Sequence, residues 1–242
     1  PPVGASLASI VDQLRRWQLV LVAALFMFGA HRYFTQVDSY GQQGGSVQLD
    51  GFYYYVYLHS ALSRGDLDFK DDYDLHGYSV KYKETAAGRP GNPFAVGPAL
   101  LWAPFWLLAH ALLWLWVKLG NAGYSLNPMS EAHQTLTLFS TYLYGCGAIY
   151  FCFRLARRLV PASTALLAAL CAGLGSPLIY YMLLSPSYSH AQSAFCFSAL
   201  VWSWLAWRQQ MTPRRGAAMG ALAGLTTLVH PGGAATSSTF RS

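Results

Sequence analysis

Six runs of apolar residues, several of them closed by arginines, constrain this chain more than any other feature. Trp17–Ala30 is almost wholly apolar and follows Arg15-Arg16. With Tyr33 and Phe34 as interfacial aromatics, it is long enough for a hydrocarbon core of ~30 Å, which takes about 20 helical residues. Further runs cover Val96–Leu119, 135–153, 162–183, 191–207 and 216–230. No small-x-small cleavage site follows the first run, so it reads as a retained helix rather than a signal peptide. The expectation is an all-α polytopic membrane protein. Composition points the same way: 54% of residues are hydrophobic and 11% charged, against roughly 25% charged in soluble domains. Eight Trp and sixteen Tyr suit the aromatic belts at membrane interfaces.

The formal net charge of +6 does not point to nucleic acid. The basic residues form short clusters (Arg15-Arg16; Arg154, Arg157 and Arg158; Arg208, Arg214 and Arg215), each against an apolar run. That is the pattern of cytoplasmic flanks. It puts the N-terminus in the cytoplasm and residue 35 outside. If 96–119 crossed fully, both later Arg clusters would fall outside, against the positive-inside bias. The preferred reading therefore has 96–119 re-entrant or lying along the outer face, with Ser185–His190 outside. Pro98, Pro104 and His110 also sit poorly in a plain lipid-facing span. The four cysteines lie inside apolar runs without metal-ligand spacing and read as small buried hydrophobes. His110, His133 and His230 read as satisfied structural residues.

Acid is scarce except in one stretch. Gln48–Leu75 holds six of the ten acidic residues and five tyrosines in 28 positions. Within it, Asp50–Arg64 has helical character, with Phe52, Tyr55, Leu58 and Leu62 as one apolar stripe. That predicts an amphipathic helix on the membrane surface, ended by Gly65. Asp50 at its start fits two roles: an N-cap, or a carboxylate that deprotonates a hydroxyl or holds a divalent cation. Asp66, Asp68, Asp71, Asp72 and Asp74 fit a solvated loop or paired acid/base groups. Lys81, Lys83 and Arg89 form a basic patch suited to a lipid headgroup or a carrier phosphate. Ser187, Tyr188, Ser189 and His190 make a polar cluster between two runs. Arg89-Pro-Gly-Asn-Pro93 is a turn signal. No GxGxxG, GxxxxGK[ST], HExxH or GxSxG motif occurs, which leaves soluble nucleotide, P-loop, zincin and α/β-hydrolase chemistry without support.

The order of these features resembles a known family. A first span is followed by an outward loop that opens on Asp50. Then come Asn92-Pro-Phe-Ala-Val-Gly-Pro-Ala-Leu-Leu-Trp-Ala-Pro-Phe105, Tyr-Leu-Tyr-Gly145 and Arg-Leu-Ala-Arg-Arg158. Leu-Gly-Ser-Pro-Leu-Ile-Tyr-Tyr181 and Ser-Pro-Ser-Tyr-Ser-His-Ala191 complete the series. Over roughly 17–230 this is similar to the N-terminal half of bacterial GT-C membrane glycosyltransferases of the family-39 type. These are relatives of protein O-mannosyltransferases and aminoarabinose lipid A transferases. The resemblance implies a GT-C-type transmembrane helix bundle in the bacterial cytoplasmic membrane, with amphipathic juxtamembrane helices in its first outer loop (35–95). It implies transfer of a sugar from a polyprenyl-phosphate donor to a lipid, glycan or protein acceptor on the outer face.

By that resemblance Asp50 takes the catalytic position, and the second acidic position falls on Asp71 or Asp72. Lys81, Lys83 and Arg89 would hold the carrier phosphate, and the tyrosines, Tyr54 among them, would shape the sugar and lipid site. Ser189 and His190 occupy the place of the second-loop contact. A divalent cation is the one cofactor to consider. Residues 1–230 form the expected module, and 231–242 read as an irregular tail from a truncated or frame-shifted reading frame. The alternatives are a non-catalytic membrane protein (a transporter or an envelope-assembly subunit) and an inactive fragment of the transferase.

Overall fold

The computed structural model describes residues 3–40, 47, 50–75, 84–121, 123 and 125–229. Lys81, Lys83, His230 and the tail 231–242 lie outside the described residues. Within them the chain is helical, apart from an isolated bridge between Glu84 and Pro90. The elements are α1 (Val3–Tyr40), α2 (Asp50–Leu58) continued by a π-helical turn (His59–Arg64), α3 (Lys70–Leu75), α4 (Gly97–Lys118), α5 (Glu131–Ala156), α6 (Ala162–Leu174), α7 (Leu178–Leu183), α8 (His190–Trp207) and α9 (Pro213–Val229). Three stretches are long and apolar enough to cross a membrane: Trp17–Thr35 of α1, α4 and α5.

Side-chain bonds between helices fix their relative directions. The Tyr142 hydroxyl donates to Phe26 O and the Tyr33 hydroxyl to Thr135 O, so α1 and α5 are antiparallel. Trp102 Nε1 donates to Thr141 Oγ1, while the Trp106 ring meets His133. Hence α4 is antiparallel to α5 as well. Arg158 at the end of α5 donates to Leu205 O near the end of α8, and Gln192 meets Thr141 nearer their starts. Helices α5 and α8 are therefore parallel. The run 162–183, expected as one span, is broken. Gly175-Ser176-Pro177 separates α6 from α7 because Pro177 supplies no N–H to continue the ladder.

The 96–119 segment is one uninterrupted helix, not a hairpin within itself. Its start lies beside the middle of α5, where the Tyr144 hydroxyl donates to Leu101 O at 2.8 Å. From there α4 runs toward the end at which α5 begins, and Trp114, Leu115, Trp116 and Leu119 remain exposed. The preceding loop must accordingly descend into the bundle, and α4 carries the chain back out.

Helix α2 departs from the amphipathic expectation. Phe52, Tyr53, Tyr54, Tyr55, Val56 and Leu58 are all buried, whereas Leu62 of the expected stripe is exposed. The helix is buried on every side because aromatic partners arrive from outside it. Tyr53 stacks flat on Phe94 at 4.7 Å, Tyr54 meets Trp102 edge-on, and Tyr57 meets Phe69. Tyrosine tolerates this position because its hydroxyl still finds partners: Tyr55 donates to Pro128 O and Tyr57 to Phe94 O. Asn92 pins the turn beneath, donating to Tyr53 O at 2.7 Å while accepting from Phe94 N. Gly65 ends the π-helical turn at φ 74°, a left-handed conformation that favours glycine.

Candidate functional site

Asp50 is the first residue of α2 and its side chain is exposed. Beside it, Gly51 rests on the loop that precedes α8. A Cβ at Gly51 would fall within 2.7 Å of Ser187 O, so only glycine allows this approach. One turn on, Ser189 Oγ donates to the Tyr54 hydroxyl at 3.4 Å. Asp50 and Tyr54 of α2 are thereby gathered with Ser187 and Ser189 of a loop more than 130 residues away. Burial raises the Tyr54 pKa; the Ser189 bond opposes the shift and the Asp50 charge adds to it. Tyr54 stays a protonated phenol, able to donate to a further oxygen.

The loop is held from below by a buried polar chain. Gln192 donates to Tyr188 O at 3.1 Å and accepts from Trp102 Nε1 at 2.6 Å and Thr141 Oγ1 at 3.1 Å. Thr141 lies ten residues into α5 (131 to 141), about 15 Å along the helix. The Ser185–His190 loop therefore sits recessed within the bundle rather than on its rim, and the Asp50 end of α2 reaches down to it. His190 begins α8 and is exposed; its ring lies 4.0 Å from Tyr181 and stacks on Tyr188.

The other acidic candidates gather elsewhere. Asp72 is only 2% exposed, with Oδ1 at 2.7 Å from His59 Nδ1 and Oδ2 at 2.9 Å from Arg64. Asp66 accepts from Ser60 Oγ at 2.6 Å and pairs with Arg64 at 3.4 Å. The Ser60 bond, followed by the Asp68 N–H and Arg64, holds the Asp66 carboxyl below its ordinary range. Arg64 also donates to Asp68 O. Asp71 is 88% exposed and reaches Arg64 only at 3.8 Å, and Arg89 reaches Asp68 at 3.9 Å. His59, which holds Asp72, lies nine residues from Asp50 (50 to 59), about 13 Å along the helix. The structure thus separates Asp50 from Asp71 and Asp72, and it places Arg89 with the acidic cluster. Among the described residues no group of three or more His, Cys, Asp or Glu side chains is arranged to hold a metal ion.

Sequence reasoning did not single out Thr141 or Gln192, and it gave Gly51, Asn92 and Trp102 no contact of their own. Each acts through a partner distant in sequence, which no local pattern shows. It also took His110 and His133 as satisfied. The Tyr55 hydroxyl, which donates to Pro128 O, accepts from His133 Nδ1 at 3.0 Å. His133 Nε2 and His110 Nδ1 remain buried without hydrogen-bond partners among the described residues, in rings whose centroids are 5.7 Å apart, with the Trp106 ring against both.

Comparison with protein-family models, with curated proteins and with solved structures gives no match to this chain.

Proposed function

We propose that this chain is the membrane-embedded catalytic part of a glycosyltransferase that moves a sugar from a polyprenyl-phosphate carrier to a hydroxyl acceptor. The supporting observation is the seating of Gly51 on Ser187. It sets Asp50, in the position that the resemblance makes catalytic, against the second-loop motif that the same resemblance marks as a contact. In the proposed reaction the acceptor oxygen attacks the anomeric carbon as the bond from that carbon to the carrier phosphate breaks. The electron pair leaves with the polyprenyl phosphate. Asp50 takes the proton from the acceptor hydroxyl, and the chemistry inverts the anomeric centre. Tyr54 and Ser189 supply hydroxyls for a sugar oxygen. Lys81 and Lys83, outside the described residues, are the proposed phosphate contacts; Arg89 stands with the acidic cluster at Asp68 instead. Among the described residues no cluster of His, Cys, Asp or Glu is arranged to hold a divalent cation beside Asp50.

The helix directions support an outward-facing site. Arg154, Arg157, Arg158, Arg208, Arg214 and Arg215 all lie at the end of the bundle where α5 and α8 finish. If that end is cytoplasmic, as the positive-inside bias predicts, the recessed site opens on the opposite side. A transporter is the second reading, and the unpartnered ring nitrogens of His110 and His133 favour it, because ionisable groups inside a helix bundle mark pathways. The experiment is the protein reconstituted in vesicles and offered a panel of polyprenyl-phosphate sugars. Release of free polyprenyl phosphate with sugar on a new acceptor is the expected result. Intact carrier together with solute accumulating in the lumen would instead establish the transporter.

A further inference from the structure

The ends of α5 and α8 carry a feature that the proposed transfer does not use. Because these helices are parallel, their last turns finish side by side. Arg154 lies over the Trp202 ring at 5.0 Å and over Tyr150 at 5.7 Å, and donates to the Tyr150 hydroxyl at 2.6 Å. One turn on, Arg158 donates to Leu205 O at 2.9 Å. One turn beyond Leu205, Arg208 caps α8. The seam between the two helices thus ends in a ladder of three exposed guanidinium groups, with Arg157 beside it on α5.

Helix dipoles account for part of this ladder only. Two helix C-termini supply roughly half a negative charge each, against three positive charges. Among the residues whose side chains are described, every ion pair lies between His59 and Arg89, and none of those pairs engages the ladder. Arg154 donates to the Tyr150 hydroxyl and Arg158 to Leu205 O, and a guanidinium has five N–H donors. The remaining donors lie at the ends of apolar helices. There Leu159 and Trp204 are exposed beside them.

We propose that the α5–α8 seam is a binding site for one anionic phospholipid, with the phosphodiester held by Arg154, Arg158 and Arg208 and an acyl chain along the adjoining apolar faces. Guanidinium forks match phosphate oxygens in pairs. Basic pockets between spanning helices select anionic headgroups in this way. The Trp202 ring keeps the Arg154 guanidinium flat and ordered before the lipid arrives. This site is independent of the Asp50 site and does not rest on the transferase reading.

The test is native mass spectrometry of the detergent-solubilised protein, titrated with dioleoyl-phosphatidylglycerol, with dioleoyl-phosphatidylcholine and with inorganic phosphate. Saturable retention of one phosphatidylglycerol is expected, with the other two probes weaker. The pair Arg154→Gln and Arg158→Gln should lower phosphatidylglycerol affinity by about tenfold or more, since hydrogen bonds to charged groups contribute about 1.5–3 kcal/mol. Equal binding of the two lipids, phosphate binding as tight as the lipid, or full affinity in the Gln pair each overturns the proposal. Should the Gln pair fail to fold, Arg154→Lys with Arg158→Lys keeps the charge but loses the fork. That pair should still lose affinity several-fold, and unchanged affinity would count equally against the site.

Discussion

Asp50 and Asp72 belong to one loop yet meet opposite surroundings. Asp50 is exposed at the foot of α2, free to meet a ligand. Asp72 is buried between His59 and Arg64 and works as an anchor. Removing one partner of a buried pair strands the other charge, at a cost of about 3–5 kcal/mol. Arg64 is 24% exposed, so Asp72→Asn should sit near about 3 kcal/mol, read as a fall in the thermal unfolding midpoint in detergent. Asp66 sets an acid limit on the same anchor. Its folded pKa is depressed below the ordinary 3.8, so the stability it contributes is complete above that value. That stability is lost as pH falls through the lower, folded value. Ser60→Ala removes the largest cause of the depression. Acid unfolding of this loop should then begin at a higher pH, and an unchanged acid transition would show that the Ser60 bond contributes nothing.

At the scale of elements, the docking of α2 on the loop before α8 decides whether a site exists. Gly51→Ala pushes a methyl group into Ser187, and overpacking of this kind costs about 1–3 kcal/mol. The expected outcome is faster hydrogen exchange in 51–58 and 185–189, with α5 protected as before. Equal exchange in both proteins would mean that the two segments are not coupled. The start of this helix at Asp50 and its stop at Gly65 were legible in the sequence, because a left-handed stop favours glycine. Its burial was not. Phe52, Tyr55, Leu58 and Leu62 looked like one apolar face, since a local stripe cannot reveal that Phe94 and Trp102 close the other side. The π-helical turn at His59–Arg64 was equally hidden, as it depends on Asp66 and Asp72 recruiting Arg64 and Ser60. Likewise, nothing near Gln192 in sequence announces Trp102 and Thr141.

Across the whole molecule, apolar run lengths sufficed to predict a helical protein, and three helices are long and apolar enough to cross a membrane; the runs 162–183, 191–207 and 216–230, also expected as spans, are not among them, whereas α4 is. Those cues could not give the path of α4, which follows from its contacts with α5. The molecule has two chemically distinct ends: an arginine-rich one where α5 and α8 finish, and a carboxylate- and tyrosine-rich one where they begin. The recessed loop before α8 and the α2 seated on it bring one exposed carboxylate into that second end. The most direct measurement is the rate of sugar transfer from polyprenyl phosphate in reconstituted vesicles, comparing the parent protein with Asp50→Asn. Turnover is expected to fall by about a hundredfold or more, the scale of a lost general base, with the unfolding midpoint unchanged. Turnover by Asp50→Asn at the parent rate would contradict Asp50 as the base.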